Sequence, residues 1–137
     1  MQIDMNAYFP TIGRILLGLI FVASGFNKVM QFEGTQQYME ANGLPATAIL
    51  LVGAIIFELG GGLMVILGFK ARTGSLALVL FLIPTTLVFH TNFAEQTQVI
   101  QFMKNLAIMG GLLYVAAHGA GPAAIENDSV SSDVAPS

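Results

Sequence analysis

Apolar positions gather into four long blocks, roughly 9–30, 44–69, 73–92 and 100–117, separated by short polar punctuation. Each can cross a hydrocarbon core of about 30 Å, which takes about 20 helical residues. The stretch from Thr73 to Ala94 contains no Asp, Glu, Lys or Arg, and the second block holds only Glu58. Arg14 and Lys28 stand near the two ends of the first block and Lys104 near the start of the fourth, where long side chains can snorkel. The pattern predicts an all-α, four-transmembrane-helix bundle over 1–122, an integral membrane protein, followed by a polar, acidic tail over 123–137 expected to be disordered. Met1–Gly13 carries one charge, Asp4, where a signal peptide would need a basic region, so the first block is expected to be retained.

The connections suit helices. Pro10 stands where a first helical turn tolerates it, and Gly43-Leu44-Pro45 joins a helix-ending glycine to a helix-starting proline. Residues 34–43 are expected to form a short interfacial helix, with Thr35 as its cap and Phe32, Tyr38 and Met39 dipping into the headgroups. Lys70-Ala71-Arg72 leaves room only for a tight turn, which makes the second and third spans antiparallel neighbours.

Composition changes the picture chiefly by exclusion. The chain is 55% hydrophobic and 9% charged, against roughly 45–50% and about a quarter in a soluble domain. Lipid must therefore solvate most of its surface. With no cysteine, a disulfide, a thiolate metal site and an iron–sulfur cluster are all excluded. The net charge of −3 argues against nucleic acid as a partner. Four spans place both termini and the Lys70–Arg72 turn on one side, with Arg14 near it, while Glu33, Glu40 and Glu95 fall on the other. The positive-inside rule predicts that the basic side is cytoplasmic, an N-in, C-in topology.

Helical spacing sorts residues onto faces. Arg14, Gly18, Phe21, Gly25 and Lys28 form one stripe of the first span, and Lys104, Ala107, Gly111, Tyr114 and His118 form a similar one on the fourth. Ala54, Glu58, Gly61 and Gly62 give the second span a small-residue face, so close helix packing accounts for the glycines.

The ionisable residues carry the chemistry. At about 1.5 Å per residue Glu58 lies roughly 16 Å from Phe69, about mid-membrane. A carboxylate there must be protonated, hydrated or matched by a cation, and Arg14 is the candidate partner, in a buried ion pair that is either structural or a ligand or proton site. A second group gathers toward the outer face: Asn27 and Lys28, His90 and Asn92, then Gln101, Lys104 and Asn105. Its three potential cations could bind an anion or polarise a carbonyl, or simply anchor helix ends, with Glu33 or Glu95 neutralising them. His90 and His118 lie near opposite faces and cannot share one haem iron. No metal site is expected.

Several motifs recur together here: Gly13-Arg14, Ser24-Gly25-Phe26-Asn27-Lys28, Gly34-Thr35-Gln36-Gln37-Tyr38-Met39, Phe57-Glu58-Leu59-Gly60-Gly61-Gly62, Phe89-His90-Thr91-Asn92-Phe93 and Phe102-Met103-Lys104-Asn105-Leu106. In combination they resemble the DoxX family, particularly its YqjF-like bacterial branch, over about residues 10–125. The resemblance implies a four-helix bacterial inner-membrane protein and a link to redox complexes, since a related group is associated with a thiosulfate:quinone oxidoreductase. Two readings follow. One is a quinone-site or redox-associated membrane subunit, with Lys28, His90, Lys104, Asn27 and Asn105 around a polar head and a redox partner subunit or second copy beside it. The other is a non-enzymatic membrane protein that binds a partner or small amphiphile. Lacking cysteine and any recognisable haem, flavin or dinucleotide motif, the chain could not conduct electrons alone.

Overall fold

The computed structural model describes residues 5–121 and 124–125, with side chains from residue 8. Five helices follow in order: α1 Met5–Met30, α2 Phe32–Ala41, α3 Thr47–Leu67, α4 Ala71–Phe89 and α5 Gln96–His118. Among the described residues α1, α3, α4 and α5 are long and apolar enough to cross a membrane. The protein is thus an all-α membrane bundle. Of the tail expected over 123–137, all but residues 124 and 125 lie outside the described residues. The second span starts at Thr47 rather than at 44, because Pro45 precedes an Ala46 held at φ 49° and the helix begins only after that turn. The last span starts earlier than expected, since Gln96, Thr97 and Gln98 supply a polar first turn.

Large apolar side chains such as Leu16, Ile49, Ile56, Leu80 and Leu87 point outward, as a lipid-solvated surface requires. Inside, Phe21, Val65, Leu78, Leu82 and Leu112 form the main core. α1 packs on α3, α3 on α4 and α4 on α5, while α1 and α5 touch only lightly. The expected α1 stripe faces α3, with Arg14, Gly18, Phe21 and Gly25 all buried. A Cβ on Gly18 would lie 2.7 Å from the Gly62 carbonyl oxygen and 2.5 Å from Ile66 Cγ1. Only glycine permits that backbone approach.

The α5 stripe is corrected. Lys104, Ala107, Tyr114 and His118 are exposed, and the buried face consists of Leu112, Val115 and Ala116, with the branched side chains of Leu112 and Val115 filling the space against α4 and α1. Tyr114 packs instead on His118 of its own helix, ring centroids 4.3 Å apart.

The bundle has two unlike ends. At the α3–α4 turn, Gly68 (φ 72°) closes α3, and Lys70 takes φ 47° before α4 starts. Arg14 donates from Nη1 to the carbonyls of Val65 and Ile66, both at 3.0 Å, and from Nη2 to Thr11 Oγ1 at 3.2 Å. Arg72 Nε donates to the Ala116 carbonyl at 2.6 Å, and the Ile125 amide to the Leu67 carbonyl at 3.0 Å. Two arginines therefore satisfy last-turn carbonyls of α3 and α5, where a helix leaves acceptors unmatched and favours cations.

At the opposite end α2 lies across the helices. Gln36 Nε2 donates to Thr47 Oγ1 at 3.3 Å, whose hydroxyl donates to Glu40 Oε1 at 3.2 Å. α2 begins at Phe32, and no side chain caps it; the Thr35 hydroxyl donates back to the Gln31 carbonyl at 2.8 Å. Met39 is buried in the protein, not turned to the headgroups, on a helix that packs against α3.

Candidate functional site

Glu58 sits near the centre of α3, 3% exposed. Its cation is Lys28: Lys28 Nζ lies 2.8 Å from Glu58 Oε1. The same ammonium donates to Ser24 Oγ at 2.8 Å, one turn back on α1. An Arg14–Glu58 pair is thereby ruled out. The antiparallel register, fixed where Gly18 meets Gly62 and Gly25 meets Leu59 and Glu58, sets Arg14 beside Val65 and Ile66, two turns beyond the carboxylate. Lys28 instead extends its flexible stem inward along α1 to reach the acid. Glu58 Oε2 is buried and has no hydrogen-bond partner.

Lys28 also forms part of the wall of a cleft of about 640 Å³ between the C-terminal end of α1, α2, the first half of α3 and the second half of α4. Two aromatic pairs line it. Phe57 and Phe81 stack at 6.2 Å between centroids deeper in the span, and Tyr38 and Phe89 at 5.3 Å near α2. The remaining wall is mostly aliphatic, with a few polar groups. Thr85 donates its hydroxyl to the Phe81 carbonyl at 2.8 Å, and Pro84 has no N–H to offer the Leu80 carbonyl one turn earlier. His90 lines the cleft with a buried Nδ1 that has no partner.

Of the outer group expected around a polar head, Asn27, Lys28 and His90 meet at this cleft. Lys104 and Asn105 do not, since no residue of α5 lines it. Lys104 is exposed on α5. Asn105 Nδ2 donates to Thr86 Oγ1 at 2.9 Å, a bond joining α5 to the buried side of α4. The cleft aromatics were not among the sequence candidates. Pro84 within the third apolar block was the available signal, and Ser24 four residues before Lys28 another.

Chemically, an ammonium fixed between a hydroxyl and a carboxylate still has a third N–H to donate. An apolar, aromatic-lined recess beside such a donor suits an amphiphile whose head carries a hydrogen-bond acceptor.

Residues 9–91 match the family model described as DoxX. The chain is 44% identical over 115 residues to "Inner membrane protein YqjF" of Escherichia coli (strain K12), covering 84% of this chain and 87% of that protein. It is 32% identical over 131 residues to "Inner membrane protein YphA" of the same organism, covering 90% and 94%. A shorter match, 36% over 70 residues and 51% of each chain, is to "Putative oxidoreductase CatD" of Bacillus subtilis (strain 168). No solved structure matches the chain.

Proposed function

The chain belongs to the DoxX family, and from that premise we propose that it is a redox-associated subunit of the bacterial inner membrane whose cleft binds the head of a quinone. The observation that carries this reading is Lys28, which lines an apolar, aromatic-lined cleft and whose ammonium is held by Ser24 and Glu58. A quinone supplies reversible two-electron chemistry when bound; the residues of this chain bind and orient it. Lys28 donates a charge-assisted hydrogen bond to a carbonyl oxygen. The Phe57–Phe81 and Tyr38–Phe89 pairs offer faces to a planar ring and keep water out. The exposed apolar flanks of α3 and α4 let an isoprenoid tail continue into lipid. The relative named as an oxidoreductase supports the redox side of the reading, and with no cysteine for a thiol or iron–sulfur relay in this chain the reading assigns electron transfer to a partner subunit. Arg14, Lys70 and Arg72 at the turn end support an N-in, C-in orientation.

The test is titration of the detergent-extracted protein with a decyl-substituted benzoquinone, read by native mass spectrometry. Lys28→Met should weaken binding about tenfold or more, as loss of a charge-assisted bond does. Lys104→Met should leave it unchanged. Equal effects of the two changes, or no binding by the wild type, would remove the quinone site and leave partner binding as the function.

A further inference from the structure

Resting on that reading, we propose that Glu58 is a specificity-determining residue: it cancels the charge of Lys28, so that the cleft admits neutral carbonyl heads and turns away anionic ones. The membrane supplies fatty acids and phospholipids whose tails resemble an isoprenoid in apolarity, so the tail cannot discriminate. Selection must lie in the head.

An isolated ammonium at the wall of an apolar recess would be an anion site. Among the described residues, Lys28 is the only lysine, arginine, aspartate or glutamate lining this cleft. Glu58 lies behind it, 2.8 Å away and 3% exposed, and does not itself line the cleft. A ligand therefore meets a donor whose charge is already matched. A carbonyl oxygen can accept the third N–H without disturbing the pair. A carboxylate, sulfonate or phosphate would bring a second negative charge to an ammonium that already has one, in a recess walled mainly by apolar side chains, where screening is weaker than in open solvent. The remaining polar neighbours, Thr35 and Tyr38 on α2, Thr85 on α4, and Asn27 and His90 at the helix ends, contribute no other acid.

The experiment uses two probes with the same tail, a decyl-substituted benzoquinone and decane sulfonate, which is ionised at every working pH. Each is titrated into the full chain in a nonionic detergent. The wild type should prefer the quinone by about tenfold or more. In Glu58→Gln the uncompensated ammonium should raise sulfonate affinity by about tenfold and abolish the preference. In the double variant Lys28→Met/Glu58→Gln both probes should bind weakly with no sulfonate gain, which separates charge from general loosening of the cleft. A wild-type ratio near one overturns the proposal without need of any variant, as does sulfonate gain in the double variant. A wild type that binds no quinone defeats the quinone reading itself, whereas one that binds both probes alike defeats only the selectivity.

Discussion

Lys28 Nζ stands 2.8 Å from Glu58 Oε1, tying α1 to α3 inside the apolar span. Removing Lys28 strands a buried carboxylate, and removing Glu58 leaves a partly buried ammonium without its counter-charge, while removing both leaves two neutral side chains. Lys28→Met and Glu58→Gln should each destabilise the extracted protein by about 3 kcal/mol, and the double variant by clearly less than the sum. Thermal or denaturant unfolding of the four proteins checks this; strict additivity would show that the pair contributes no coupling.

Arg14 is expected to act independently of that pair. Its guanidinium satisfies two carbonyls two turns further along α3, so Arg14→Met should cost about 2–3 kcal/mol through unmatched acceptors. Combined with Glu58→Gln, the effects should add within about 0.5 kcal/mol. A coupling well above that, in the same unfolding assay, would mean that the two sites communicate.

Two glycines should respond unequally to one methyl group. A side chain at Gly18 would strike the backbone of α3, whereas a Cβ on Gly110 meets nothing within 4 Å. Gly18→Ala is expected to lower stability by about 1–3 kcal/mol, and Gly110→Ala to stay within about 0.5 kcal/mol. Similar losses at both would contradict the α1–α3 crossing.

Much of the bundle was legible because long charge-poor blocks have few other uses, and α1 faces α3 along the spaced stripe from Arg14 to Lys28. The same spacing misled on α5. In water the apolar face of a helix is its packed face, but lipid is as apolar as the protein interior, so the outward placement of Tyr114 and His118 left no periodic mark. The partner of Glu58 escaped for another reason. Depth along the chain pointed to Arg14 and set Lys28 apart in the outer group, whereas the pairing depends on the register at Gly18 and Gly62, a relation between helices that no single segment encodes. The cleft is likewise a product of packing, assembled from parts of four helices.

Orientation can be read from single cysteines on this cysteine-free background. Gln37 on α2 and Thr73 on α4 are both exposed, at opposite ends of the bundle. In intact cells with a permeabilised outer membrane, an impermeant thiol reagent should label Gln37→Cys and spare Thr73→Cys until the inner membrane is opened. The reverse pattern would invert the topology.

The side-chain and backbone ties from Arg14, Arg72 and Ile125 all fall at the turn end of the bundle, far from the recess beside Lys28. At the recess itself α3 and α4 meet through apolar and aromatic faces such as those of Phe57 and Phe81, which can slide or part without breaking a hydrogen bond. A flat ring could thus slip in sideways from the bilayer by a small splaying of α3 from α4, without any helix losing its anchorage.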